Sequence, residues 1–454
     1  MNKYIAVIIV TLFFISGTAQ AAAKGKILNV QQFNTPKGIE VWLVKDSTIP
    51  VISMSFSFDG GLDYDPEEKS GVGKMVSILL DEGAGEMDSK AFQQELNDYS
   101  IYMNFTAGRD AFVGGLKTLK QNRYRAYGLL KLALTSPRFD DDALVRMKNA
   151  NIASINNNMG DPAWLVARTF NGMIFEGHKY SLPGEGNAHS IKKINRKDLI
   201  KFTKDQFATS VLKVAIAGDI TAEEASEMVD MAFGELPQFS TVIDTPDAEL
   251  KYLGKTILLP LDTPQSYVSI GAPGINIKDK TWQAATIMNY VLGGESFEAR
   301  LMKEIREKRG LTYGIYSSLS PMNYANLIRV NFSTSNEKTQ EALNVLRKEW
   351  QKMAKDGISP KELEAAKSFL TGSLLLDLTS TGAISSILND LQQQGLEYNY
   401  INECSDAINA VTIEDVQNVA QKLLDKNNLM ITVVGKPQGI KPDITLQKTP
   451  GMGE

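Results

Sequence analysis

Cysteine is almost absent from this chain. Cys404 is the only one, so no disulfide can form within it. Histidine is nearly as scarce: with only His178 and His189 present, a metal site built on three imidazoles is excluded. Positive charge is not in excess either. The 48 Lys and Arg stand against 53 Asp and Glu, a net charge of −5, which offers nucleic acid no basic surface. The apolar stretch at 5–15 falls short of the ~20 residues that span a membrane. What is there is ordinary globular material, 43% hydrophobic and 22% charged over 454 residues, enough for two to four domains with cores of their own.

The N-terminus has the layout of a cleavable export signal. Lys3 supplies the positive end, 5–15 the apolar run, and Ala19-Gln20-Ala21 the small-residue cleavage site. The mature chain is expected to start near Ala22 and to work outside the cytoplasm. Scarce cysteine does not oppose export, because a chain with a large core needs no covalent staples.

Beyond the signal, strands and helices are legible from their periods. Residues 30–33 and 39–44 read as a hairpin around Pro36-Lys37-Gly38, and 51–58 as a third strand closed by Gly60-Gly61. Residues 70–80 place Val72, Met75, Val76 and Leu79 on one face of a helix. Pro162 suits the first turn of a helix running to 175. Residues 195–207 read as a helix, 212–217 as a strand, and 221–233 as a helix capped by Thr221. The stretch 236–254, with two prolines and no helical period, reads as a linker.

The second half then repeats the first. The segment SIKKINRKDL from Ser190 matches AINAVTIEDV from Ala407, and VLKVAIAGDI matches NLMITVVGKP. Asp198 and Asp415, like Gly218 and Gly435, lie 217 residues apart (415 − 198 and 435 − 218). FEGHKY, ending at Tyr180, has a weaker echo in QQGLEY, ending at Tyr398. Two matches at one offset indicate duplication of an α/β unit. The expected architecture is two homologous domains, each a mainly antiparallel sheet covered by helices. The expected segments are a signal at 1–21, domains at 22–235 and 255–445, a linker at 236–254 and a tail at 446–454.

The richest stretch is 293–318, GGESFEARLMKEIREKRGLTYGIYSS. After Gly293 and Gly294, Ser296 is a candidate N-cap. Phe297, Leu301 and Ile305 form a four-residue stripe expected to be buried. Glu304 and Lys308 can pair on the wet side, and Gly310 is placed for a left-handed C-cap. Residues 311–318 read as a strand, so Arg306 and Tyr313 straddle a helix-to-strand turn.

These motifs resemble those of the insulinase/pitrilysin-type zinc peptidases, over nearly all of the mature chain. The resemblance rests on the glycine pair with Arg300-Leu301, on EIREKRGLTYGIYSS, on FEGHKY followed by the 191–202 stretch, and on SGVGKMVSILLDEGAG. It implies paired α/β domains of shared fold and pairs of chains enclosing a chamber. Family enzymes carry H-x-x-E-H on a helix of the first domain. Two histidines four apart grip zinc, and the glutamate serves as general base toward zinc-bound water. The positions matching that motif here hold Lys74, Ser77 and Ile78, and the stretch 143–160, which would supply a third ligand, has no acidic residue. No catalytic zinc is expected in this chain. The second half keeps what the first lost. Arg306 and Tyr313 match the arginine and tyrosine with which active relatives reach the bound peptide, a forked donor for a carbonyl and a phenol for the oxyanion. Gly293, Gly294 and Ser296 resemble the family's substrate-facing glycine loop.

The resemblance therefore implies a non-catalytic, substrate-binding subunit of a periplasmic heterodimeric zinc metalloendopeptidase. A homologous partner would carry H-x-x-E-H and the zinc. The substrate would be a peptide or small unfolded protein. A homodimer, or a catalytically dead scaffold without a peptidase partner, is the competing expectation.

Overall fold

The computed structural model describes residues 26–241 and 245–452. The export signal expected at 1–21 lies outside them. Among the described residues no helix is long and apolar enough to cross a membrane.

Two six-stranded sheets carry the fold. The first runs in the spatial order Val30–Asn34, Glu40–Lys45, Leu212–Gly218, Val51–Asp59, Ala111–Leu119, Tyr102–Ala107. The second runs Ile315–Pro321, Asn326–Ser335, Gln265–Pro273, Met430–Gly435, Thr256–Pro260, Ile444–Thr445. Traced from opposite ends, the two orders share one topology over five of their six strands. Each has an antiparallel edge hairpin, a long strand antiparallel to both its neighbours, and one central parallel pairing; they differ at the far edge, where Val30–Asn34 pairs antiparallel with Glu40–Lys45 but Ile444–Thr445 pairs parallel with Thr256–Pro260. The central parallel pairs are Glu40–Lys45 with Leu212–Gly218, and Thr256–Pro260 with Met430–Gly435.

The 217-residue spacing has a physical basis. Asn195 and Asp198 close a capping box on helix Arg196–Gln206, and Thr412 and Asp415 close one on helix Ile413–Leu423. Each helix feeds a central strand that ends on a left-handed glycine, Gly218 at φ 141° and Gly435 at φ 147°. A Cβ on Gly218 would lie 2.2 Å from the Val51 carbonyl oxygen, so only glycine fits where the strand breaks away.

Strand alternation gives each sheet two apolar faces. Met54, Phe56 and Phe58 point into the first half's core with Phe112, Phe207 and Phe233. Val268, Ile270 and Ala272 point into the second half's core with Trp350 and Met353. The opposite faces are covered crosswise. Helix Thr381–Gln393 of the second half lays Ile384, Leu388 and Leu391 on Trp42, Val44, Ala215 and Ala217 of the first sheet. Helix Pro162–Ile174 of the first half lays Phe170, Met173 and Ile174 against Ile257, Leu327 and Met430 of the second. Polar contacts fix the register of this exchange: Ser53 Oγ is 2.9 Å from Thr381 Oγ1, and Arg329 donates to Asn171 at 2.8 Å.

Some boundaries differ from the sequence reading. The helix expected over 70–80 is the single stretch Val72–Ser77 and then loosens into turns, although Val72, Met75, Val76 and Leu79 are all buried as expected. The strand expected at 311–318 is Ile315–Pro321, because Thr312 holds the preceding residues in a turn.

Candidate functional site

Helix Trp282–Gly293 ends on the glycine pair. Gly293 is buried, and a Cβ there would lie 2.7 Å from Ser317 Oγ and 2.8 Å from Leu301. At Gly294 a Cβ would meet the Tyr290 backbone at 2.7 Å. Close packing of helix on strand accounts for both glycines. Ser296 Oγ accepts the Glu298 N–H at 3.1 Å and lies 3.5 Å from the Tyr290 hydroxyl. It caps a turn rather than the helix itself, which starts only at Arg300.

From Met302 to Glu307 that helix is wound as a π-helix, with the Lys308 N–H donating to the Lys303 carbonyl at 3.0 Å. Gly310 ends it in the left-handed region, φ 58°, as the sequence indicates. The Glu304–Lys308 pair forms at 2.5 Å. Leu301 and Ile305 are buried, but Phe297 is not: it is 62% exposed. The expected stripe breaks there because the chain around Phe297 is a turn, so its ring leaves the helix face. The Arg306 guanidinium sits over that ring, 4.8 Å from its centroid. Among the described residues no carboxylate forms an ion pair with Arg306. Tyr313 stands on the next turn, pinned by Thr312 Oγ1, which is 2.7 Å from the Ser333 carbonyl and accepts the Gly314 N–H at 3.2 Å. Its side chain is 87% exposed, and Tyr316 beside it is 44% exposed. Ser296, Arg306 and Tyr313 thus reach the surface of one segment, with Phe297 and Tyr316 beside them, while Gly293 and Gly294 are buried beneath it. Phe297 was hidden in the sequence by helical periodicity, and Tyr316 by strand alternation.

The helix matching the zinc motif is differently furnished. The buried Asp65 carboxylate accepts the N–H groups of Gly71 at 2.7 Å and Gly73 at 2.9 Å, capping the helix start. Burial nevertheless pushes the Asp65 pKa up to about 7. Ser77 turns its hydroxyl back to the Lys74 carbonyl at 2.8 Å, and Ile78 packs against the first core. On the helix Asp141–Asn158, Lys148 donates to the Ile194 carbonyl at 2.8 Å and Asn151 to the Glu185 carbonyl at 3.0 Å. Among the described residues no three His, Cys, Asp or Glu side chains lie together as a metal would require. The residues present do not fit a zinc ion. No hydrogen bond, ion pair or ring contact joins this helix to Arg306 or Tyr313 among the described residues.

The FEGHKY motif has a joining role. His178 Nδ1 accepts the Tyr180 N–H at 3.1 Å, and its ring lies 4.7 Å from the Tyr180 ring. The Tyr180 hydroxyl donates to Asp110 and accepts the Tyr324 N–H at 3.2 Å, tying the two halves together. Tyr398, its echo, makes an edge-to-face contact with Trp42 of the first sheet.

A family model described as the peptidase M16 inactive domain matches residues 193–370. A Helicobacter pylori protein named Non-peptidase homolog YmxG is 26% identical over 439 residues, covering 96% of this chain and 98% of that protein. A Bacillus subtilis protein named an uncharacterized zinc protease is 20% identical over 415 residues, covering 91% of this chain and 100% of that protein. Among solved structures, a peptidase M16 inactive domain from Pseudomonas fluorescens superposes with a TM-score of 0.86 at 26% identity, covering 91% of this chain and 100% of that one. A protease from Helicobacter pylori shares the fold, with a TM-score of 0.81 at 17% identity, covering 90% of this chain and 99% of that one. Over residues 193–370 the chain thus matches the peptidase M16 inactive domain, and along nearly its whole length it resembles, in sequence and in its two-domain fold, the inactive members of the insulinase/pitrilysin-type peptidases.

Proposed function

We propose that this chain is the substrate-binding subunit of a heterodimeric zinc metalloendopeptidase that acts in the periplasm. A homologous partner carrying H-x-x-E-H supplies the zinc and the general base. This chain binds no zinc of its own and contributes Arg306 and Tyr313 to the shared site.

The observation that carries this reading is that Arg306, half-buried on the π-helix, has no carboxylate partner among the described residues, and Tyr313 stands outward on a pinned turn. The guanidinium has only an exposed ring beneath it, and Tyr313 is almost wholly in solvent. A large aromatic on a pinned turn with no packing role is available for a ligand. The chemistry fits a peptide undergoing attack by zinc-bound water: guanidinium N–H groups orient a carbonyl, and a phenol O–H donates to the developing oxyanion. Gly293 and Gly294 shape the turn that presents Phe297 and Arg306, and Ser296 fixes it.

Mixing tests this. The purified chain combined with an exported relative bearing H-x-x-E-H should cleave an unfolded protein in a chelator-sensitive way, and neither protein should do so alone. Absence of cleavage by the mixture, with no peptide affinity in this chain, would instead favour the scaffold reading.

A further inference from the structure

A cavity of about 370 Å³ lies between helix Pro162–Ile174 and the loops at 62–70 and 179–185. It is remote in sequence from the segment 293–318, and the peptidase reading makes no use of it. Its wall mixes charges: Arg109, Arg168 and Lys179 on one side of the balance, Asp63, Asp65 and Glu185 on the other, with Trp164 as an apolar face.

Most of these groups are partly committed. Lys179 donates to the Asp65 carbonyl at 2.8 Å, Arg109 to the Tyr180 carbonyl, and Glu185 accepts the Trp164 indole N–H at 3.1 Å. Asp63, whose two carboxylate oxygens are buried without a hydrogen-bond partner, and Arg168 are the exceptions. Nε and Nη2 of Arg168 are buried and have no hydrogen-bond partner, and among the described residues Arg168 forms no ion pair. Its guanidinium lies 5.9 Å from the Trp164 ring centroid. A buried guanidinium with idle donors is unfavourable unless an acceptor reaches it, and its forked geometry matches a carboxylate. The carboxylates in the same wall disfavour a dianion such as phosphate. They suit a ligand that brings an ammonium with its carboxylate.

We propose that this pocket binds a small zwitterion, a free amino acid or a dipeptide. The ligand's carboxylate takes the Arg168 and Arg109 donors, its ammonium faces Asp63 and Glu185, and its side chain lies on Trp164. The volume is at the small end of ligand sites and admits one or two residues.

Calorimetric titration of the intact chain tests the assignment, with leucine, the dipeptide Ala-Leu, their N-acetylated and C-amidated forms, and inorganic phosphate as probes. Saturable binding of the free zwitterions is expected, weakened about tenfold or more by blocking either terminus. Dipeptide binding would identify a peptide end as the ligand, and leucine alone a free amino acid. Arg168→Ala should abolish binding and Arg168→Lys restore part of it. If Arg168→Ala does not fold by circular dichroism, Glu185→Gln keeps an acceptor for Trp164 and should weaken only ligands with a free amine. No saturation by any zwitterion up to about 10 mM, equal binding of doubly blocked ligand or phosphate, or unchanged affinity in folded Arg168→Ala would overturn the proposal.

Discussion

The Arg306 guanidinium is oriented by the Phe297 ring beneath it, 4.8 Å away, and not by a carboxylate. An ion pair would tie up the donors; a ring leaves the outward edge of the fork open. If Arg306 contacts substrate in a reconstituted pair, Arg306→Ala should lower kcat/KM roughly 100-fold, and Arg306→Lys should not restore it. Phe297→Ala should cost roughly three- to tenfold through lost orientation. Both sites are at the surface, so Tm should stay within about 2 °C of the parent. Steady-state kinetics on the mixture, with a parallel melting curve, separates these outcomes. Full activity in Arg306→Ala would remove this residue from the site.

The duplicated architecture was legible because its signals are local. Capping boxes at Asn195 and Thr412 and strand-ending glycines at Gly218 and Gly435 recur at one offset. The exchange of covering helices was not legible. Leu388 and Phe170 read only as buried faces of amphipathic helices, and nothing local states which sheet each face meets. The π-helix was hidden for the same reason, because its sequence satisfies ordinary helical spacing. The idle donors of Arg168 arise from packing between distant segments, which no local pattern encodes.

Arg300 holds Glu362 through two hydrogen bonds of 2.8 Å and donates a third to the Gly357 carbonyl at 2.9 Å. Burial alone would raise the Glu362 pKa, but bonds from Arg300 and Ser359 outweigh it and hold the carboxyl down at about 2, against an ordinary 4.5. A depressed carboxyl pKa stabilises the fold fully above the unfolded value and loses that contribution as pH falls from about 4.5 toward 2. Arg300→Ala should destabilise the chain by roughly 2 kcal/mol at pH 7 and reduce the acid slope of stability. Denaturation at pH 7 and pH 3 would reveal it as a gap that narrows in acid.

Asp65 has the opposite sign. Its carboxyl is raised by burial to about 7 from 3.8, so over that interval the folded chain keeps a proton that the unfolded chain has released. Its contribution is complete below about 3.8, declines as pH rises, and is gone above about 7. Asp65→Asn keeps an oxygen for one of the Gly71 and Gly73 N–H groups but cannot ionise. The variant should lose a pH-dependent term on the order of 1–3 kcal/mol between pH 5 and 8. Melting curves across that range should be flatter than the parent's; equal slopes would mean that Asp65 titrates normally.

The crossed helices make a prediction about cooperativity. Leu388 from the second half is buried against Trp42 and Val44 of the first sheet, and Phe170 from the first half against Leu327 and Met430 of the second. Neither sheet has both faces covered by its own half. Leu388→Ala and Phe170→Ala should each cost about 3 kcal/mol through lost burial and the cavity left behind. Because each helix belongs to one half and stabilises the other, both variants should lower the same single transition in scanning calorimetry. A chain that ends before Thr381 would leave the Trp42 face of the first sheet open, and should bind a hydrophobic dye and aggregate. Two resolved transitions, with Leu388→Ala moving one and Phe170→Ala the other, would show instead that the halves fold independently and that the exchange only docks them.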